Sequence, residues 1–474
     1  MIAGGRYGIE KRVSVYWFMF AIVMQASSLV AAKQESIGVI GAGLAGLTAA
    51  HRLHQQGYDV VIYEAADYAG GRVRTWHASN SYEELGGKNI NDGGQAPHLR
   101  ALLAEFGLRE ESYECRFNPL ICTESGEYVS ASQAFKSLSA PTEQLHAEVS
   151  RVLSAATTLE PAVALLSKQN PLVDEVLNRS LCAYEGGVAS QIDGKCSEVL
   201  WYLFQSLEKI VDNSSHSSFA QVQGGNDRLV EALLQSLFGR IRLGTPVTAI
   251  ATAHDGGLEL RLGDDSKVSH DRVVCAVPCT VFAEQERVGS IAVQRGLIPE
   301  EQLAAIRGVS YAYITKVIFQ TSWVATPPAQ LNTHLARDGF VWFSKDGKLA
   351  TLYLSGSSQP ILQATNQERQ ALLARYAMDI QVVEPTIKDI VPVAIAVWPV
   401  AYSYFSPGQY AIRSQIEKFA SHPVRSVFKP VNAQLFFAGE HTGIPSYACM
   451  EAAVESGERT ARMIIDAGKP EAAP

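Results

Sequence analysis

Three glycines, Gly41, Gly43 and Gly46, stand in the spacing G-x-G-x-x-G directly after the apolar run Ser36-Ile37-Gly38-Val39-Ile40. In that spacing the first glycine permits a tight turn and the second lets backbone approach a pyrophosphate. The third lets the following helix pack on the strand. The helix that opens with Leu44 and Ala45 presents free backbone N–H groups, and roughly half a positive charge, to the phosphates. Eighteen positions after Gly46, Glu64 closes a second apolar run, Asp59 to Tyr63, with Ala65 beside it. A carboxylate there accepts hydrogen bonds from both ribose hydroxyls and repels a 2′-phosphate. Strand, glycine turn, helix, second strand and acid together specify a dinucleotide site, without choosing between NAD and FAD.

Residues further along bear on that choice. Gly70-Gly71-Arg72-Val73-Arg74-Thr75 resembles the second glycine-pair motif of the flavin amine oxidases, and Leu85-Gly86-Gly87 resembles that family's next stretch. Gly224-Gly225-Asn226-Asp227-Arg228-Leu229 and Thr245-Pro246-Val247 are similar to the later segments that return to the cofactor. Phe436-Phe437-Ala438-Gly439-Glu440-His441-Thr442, with Met450-Glu451-Ala452-Ala453-Val454-Glu455-Ser456-Gly457, is similar to the C-terminal flavin signature. The resemblance spans most of residues 36–465 in order and spacing, and is thinnest between 109 and 218. It implies FAD, held non-covalently, because no clear counterpart exists of the cysteine that tethers flavin in monoamine oxidases. In that reading Gly71 precedes Arg72 and Arg74, whose rigid forks suit a pyrophosphate. The backbone at Gly86 and Gly87 runs along the flavin, and Val247 packs near the adenine. Gly439 and Glu440 reach the ribityl chain. A helix starting near Met450 aims its positive end at flavin N1 and the C2 carbonyl, favouring the reduced form.

The resemblance also nominates catalytic groups. Lys316, in Ser310-Tyr311-Ala312-Tyr313-Ile314-Thr315-Lys316-Val317, matches the family strand whose lysine holds a water against flavin N5. Its alternation with Ile314 and Ile318 on a strand is also what an exposed face residue would show. Trp398 precedes Tyr402, Tyr404 and Phe405, and one aromatic of this segment normally flanks the substrate. Two departures stand out. Cys449 occupies the place of a usual aromatic, with Ala448 where the family has Gly, so half of the aromatic cage is missing. Lys88 and Asn89 follow Gly87, and a lysine is unusual beside a cationic amine; pointing inward, it would favour an acidic group.

The function implied is an FAD-dependent oxidase that passes hydride from a C–N bond of an amine or amino acid to flavin N5. Oxygen would reoxidise the flavin and leave as hydrogen peroxide, so the partners are a small-molecule substrate and oxygen. One alternative is an FAD-dependent desaturase or dehydrogenase of an apolar substrate, resembling phytoene desaturase or protoporphyrinogen oxidase. The other is a non-catalytic flavin-binding partner protein.

These groups need elements to position them. Strand-like and helical stretches alternate along the chain, which indicates an α/β fold: a Rossmann-type FAD-binding domain with an inserted mixed-sheet plus helical substrate domain. The expected division assigns 33–98, 219–285 and 425–474 to the FAD-binding domain, and 99–218 and 286–424 to the substrate domain. Leu99, Leu102, Leu103 and Phe106 recur at helical spacing, as do Leu229, Val230, Leu233 and Leu234. Residues 310–320, 391–398 and 435–438 read as strands, and 130–218 as mostly helical.

Composition sets the outer bounds. The 474 residues are 47% hydrophobic and 19% charged, ordinary globular values that exclude wholesale disorder and a multi-span membrane protein. A net charge of −8 with no basic run argues against nucleic acid. Arg6, Lys11 and Arg12 precede an apolar run from Val13 to Met24, and Val30-Ala31-Ala32 follows. That order is a secretory signal over 1–32, implying an exported (periplasmic or secreted) protein; kept uncleaved, the segment is a membrane anchor. Seven cysteines without a C-x-x-C pair exclude a zinc ribbon, and Cys275 fits a buried free thiol. His51 and His54 share a helix face without a third ligand nearby, so they read as solvated surface rather than metal site.

Overall fold

The computed structural model describes residues 34–468 apart from 79–80, 92–93, 124–125, 131–142, 198–199, 202, 204–215, 283–288, 328–331, 336–337, 357–358, 405, 408–425 and 444–447. The expected targeting segment and Phe405 therefore lie outside the described residues. Among the described residues no helix is long and apolar enough to cross a membrane.

The first layer is a parallel sheet. Its strands run in the order Leu435–Phe437, Arg272–Cys275, Ser36–Ile40, Asp59–Tyr63, Ile241–Arg242. Side chains alternate between two faces, as the strand period requires. Ile37, Val39, Val60, Ile62, Val274 and Phe436 face the helices Leu44–Gln55, Pro97–Glu105, Asp227–Ser236 and Met450–Ala467. Val273, Cys275, Leu435 and Phe437 face the opposite way. There they meet Ile250, Leu258 and Leu260 of a second, four-stranded sheet. Cys275 is a free thiol, and burial pushes it up to about 12.

The helices cross tightly where side chains are absent. A Cβ on Gly46 would lie 2.1 Å from the Gly41 carbonyl oxygen, and one on Gly457 would lie 2.5 Å from the Ala45 carbonyl oxygen. Glycine at both points lets Leu44–Gln55 sit against its strand and against the terminal helix.

The second layer is an eight-stranded mixed sheet. Its order is Ile387–Trp398, Ile314–Trp323, Leu349–Ser355, Gly339–Phe343, Asn332–Leu335, Glu110–Cys122, Tyr128–Ser130, with His216–Val222 paired to Glu110–Cys122. Val317, Phe319, Val341, Leu352 and Leu354 on one face pack with Tyr376 and Ile380 of the helix Asn366–Val383. The other face carries the row Lys316, Tyr353, Phe340, set by cross-strand register.

Three segments fall across the division expected from sequence. Leu99, Leu102 and Leu103 of Pro97–Glu105 belong to the core of the first sheet. Leu297, Ile298, Leu303 and Ile306 belong to the core beneath it. His216–Val222 is a strand of the large sheet. An apolar face decides membership for the first two segments, while His216–Val222 pairs with the large sheet and turns Ala220 and Val222 into the core of the first.

Candidate active site

A cavity of about 1010 Å³ runs from the glycine turn to the large sheet. Gly41, Gly43, Leu44, Ala45 and Glu64 line one end; Gly71, Arg72, Gly86, Gly87, Gly439, Glu440, Cys449 and Met450 line the middle; Lys316, Tyr353, Trp398 and Tyr402 lie at the sheet. Segments more than 400 positions apart thus converge on one space. It suits a molecule as long as FAD, and the glycines explain why it stays open. A Cβ on Gly43 would meet no heavy atom within 4 Å, so that backbone borders empty volume. A Cβ on Gly86 would lie 1.9 Å from the Arg72 carbonyl oxygen, and one on Gly87 would lie 3.2 Å from Met450 Cγ. These two glycines let one loop thread between Arg72 and the start of the terminal helix.

That helix begins at Met450, with Cys449 as its extended N-cap and no side-chain cap, so its first N–H groups remain for a ligand. Ala448 just before it has φ 62°, a left-handed conformation that costs an alanine about 1–2 kcal/mol. Ala448→Gly should therefore raise the stability of the protein by about 0.5–1 kcal/mol, net of the greater freedom of glycine when unfolded. A denaturant melt checks this, and an unchanged midpoint would show that the strain is relieved otherwise.

Glu64 bends toward the glycine turn. Its Oε2 accepts from the Ala42 N–H at 2.7 Å and its Oε1 from the Ala66 N–H at 2.9 Å. Each oxygen keeps a lone pair for a further donor. Glu64→Ala removes both acceptors and should weaken FAD binding by about 10- to 100-fold, from the ~1.5–3 kcal/mol of a charge-assisted bond. Titration of the apoprotein with FAD measures it; an unaltered dissociation constant would remove Glu64 from the ribose. Ala65 is exposed and does not line the cavity.

Arg72 donates from Nη1 to Glu440 Oε1 at 2.9 Å and to the Ala401 carbonyl at 2.7 Å. Burial raises the Glu440 carboxyl, but the Arg72 guanidinium, with His441 and the Ser403 hydroxyl, outweighs it and holds the group below the usual range. Glu440 is thus an anchored carboxylate. Arg74 departs from expectation: it is exposed and lies over the Tyr68 ring at 4.9 Å, so only one of the two forks reaches the cavity. Val247 also departs. It is buried in the core with Ile250 and Leu262 and does not line the cavity.

Lys316 is buried on Ile314–Trp323, the strand next to the Ile387–Trp398 edge of the large sheet, not on an exposed face. Its Nζ donates to the Glu84 carbonyl at 3.0 Å and the Gly86 carbonyl at 2.5 Å, and it stands 5.5 Å from the centre of the Trp342 ring. Tyr402 lines the cavity, and its hydroxyl donates to the Ala183 carbonyl at 2.6 Å. Burial raises that phenol well above its ordinary value. Tyr404 does not line the cavity; it packs beside Gly186 and Gly187. Tyr404 is paired with Ser310 in the short strand Ser403–Tyr404, whereas Tyr402 precedes that strand. Cys449 lines the cavity, so a thiol stands where the resemblance places a ring.

Sequence reasoning missed several lining groups. Tyr113, Phe340, Trp342 and Tyr353 come from strands in regions without recognised motifs. Asn226 is a positioning residue: it donates to the Gly87 carbonyl at 2.9 Å and the Lys88 carbonyl at 2.8 Å, tying Gly224–Leu229 to the loop after Leu85. Glu83 and Glu84, a buried acidic pair directly before Leu85-Gly86-Gly87, were the available signal. His51 is buried rather than solvated, between Ser236 Oγ at 3.0 Å and Glu105 at 2.8 Å.

Comparison with known proteins agrees with this geometry. The family model described as flavin containing amine oxidoreductase matches residues 44–465. The flavin-dependent L-tryptophan oxidase RebO of Lentzea aerocolonigenes is 26% identical over 60% of this chain, which spans 65% of that relative's length. The flavin-containing amine oxidase B of Bos taurus is 26% identical over 90% of this chain and 86% of its own. Among solved structures, cyclohexylamine oxidase from Brevibacterium oxydans superposes with a TM-score of 0.68 at 18% identity, over 92% of this chain and 99% of its own; it supports the fold alone.

Proposed function

The chain belongs to the flavin-containing amine oxidoreductases, and from that premise we propose that it oxidises a C–N bond of a small amine or amino acid and uses oxygen as electron acceptor, releasing hydrogen peroxide. The protein is an FAD-dependent oxidoreductase; bound FAD supplies a two-electron acceptor, and the chain supplies orientation and electrostatics. The observation that carries the reading is Lys316, a buried ammonium held on the cavity wall by two backbone carbonyls. There it can orient a water and favour negative charge arising beside it. Arg72 and Glu440 fix the middle of the cavity, and the unspent N–H groups at Met450 favour an anion at the mouth of the helix. Tyr402, Trp398 and Tyr353 wall the substrate end with aromatic surface.

Cys449 stands where the resemblance places a ring, so the chain should handle benzylamine and tyramine poorly. A purified holo-protein, assayed for peroxide across amines, amino acids and polyenes, tests the proposal. Peroxide released with amines or amino acids is the expected result. Flavin reduced by polyenes alone, without peroxide, would replace it with desaturation of an apolar substrate.

A further inference from the structure

Lys88 is a second ammonium on the cavity wall. Its side chain is 12% exposed and pairs with Glu83, which is buried. Its Nζ stands 5.3 Å from the centre of the Trp342 ring and 5.5 Å from that of Tyr113. Lys316 faces the same indole at 5.5 Å, so two ammonium groups flank one ring. The Glu83 Oε1 that pairs with Lys88 also accepts from the Glu84 N–H at 3.2 Å and from Trp342 Nε1 at 3.4 Å. The lysine therefore need not leave Glu83 to offer a second N–H to the cavity, since an ammonium carries three.

The charge count in this corner is positive. Glu84 turns its carboxyl away from the cavity, toward the Asn226 N–H and the Thr75 hydroxyl, each at 2.8 Å. Burial raises that carboxyl above its ordinary value and so favours its neutral form. Two ammonium groups then face a single carboxylate. An amine substrate that is merely cationic gains nothing from such a wall, whereas an anionic group gains a charge-assisted hydrogen bond in a partly desolvated place.

Resting on the oxidase reading above, we infer that Lys88 receives the carboxylate of the substrate and is the residue that makes this chain prefer amino acids to the corresponding amines. The loop geometry supports it: Asn226 clamps the Gly87 and Lys88 carbonyls, so the lysine is delivered from a fixed backbone.

The test compares matched pairs, L-tyrosine with tyramine and L-tryptophan with tryptamine, in wild type, in Lys88→Arg, and in Lys88→Met combined with Glu83→Gln so that no buried carboxylate is stranded. Flavin content and melting temperature of each variant are measured alongside. Binding of benzoate, read from the flavin absorbance spectrum of the holo-protein, supplies a readout independent of turnover. The double variant should lose about 10- to 100-fold in kcat/KM for the amino acids, stay within about threefold for the amines, and lose benzoate binding; Lys88→Arg should keep all three. Equal losses for both members of a pair, benzoate binding that ignores Lys88, or no benzoate binding by wild type would each overturn the inference. Lys88-dependent benzoate binding without peroxide from any substrate would instead refute the oxidase reading and leave the carboxylate subsite standing.

Discussion

Replacing Gly43 by Val leaves the chain folded and strips it of flavin. The backbone at Gly43 has φ −73° and ψ 173°, an extended conformation that valine adopts without strain. No heavy atom lies within 4 Å of its Cβ position, so the first carbon of the new side chain borders open space. It enters instead the volume that the pyrophosphate needs. Forced overpacking costs ~1–3 kcal/mol or more, which translates into about 10- to 100-fold or greater loss of affinity. The ratio of flavin to protein absorbance after desalting reports the loss, and the melting curve of the apoprotein should match that of wild type. Gly46→Val is the contrasting variant, because a Cβ there lies 2.1 Å from the Gly41 carbonyl oxygen and must displace the helix. Full flavin occupancy in Gly43→Val would place the phosphates elsewhere.

The second large effect concerns Lys316. Lys316→Met keeps the length of the side chain and removes its charge and both hydrogen bonds, to the carbonyls of Glu84 and Gly86. Reoxidation of the reduced enzyme by oxygen should slow by about 10²- to 10³-fold, the scale seen when one preorganised donor is removed from a developing charge. FAD retention should change far less, because the dinucleotide end of the cavity is built from other segments. Stopped-flow mixing of photoreduced protein with oxygenated buffer separates the two quantities. Wild-type reoxidation in the variant would reduce Lys316 to a structural cation that ties two strands to a loop.

How far the sequence reached depended on whether a residue's role is local. The glycine turn, the helix from Leu44, the strand ending at Tyr63 and the helix from Met450 were all legible, because turn chemistry, strand alternation and helix termini act over a few residues. The FAD assignment followed from segments whose spacing along the chain resembles a known family. Glu64, Arg72, Glu440, Lys316 and Tyr402 all line one cavity, as that resemblance implied.

What only the tertiary structure decided was membership and direction. The strand Glu110–Cys122 contains Pro119 and charged positions, and it reads weakly by period; pairing with three neighbours makes it a strand. Leu99 and Leu103 mark a helix in the sequence, yet only packing shows which core they join. Arg72 and Arg74 are two residues apart and chemically identical, but one faces Glu440 in the cavity and the other lies on an exposed tyrosine. Lys88 could face water or the site, and a buried Glu83 five residues earlier turned it inward. A side chain's type and spacing state what it can do. Which of two faces it takes is set by partners near or far along the chain, because burial and ion pairing are energies of the folded whole.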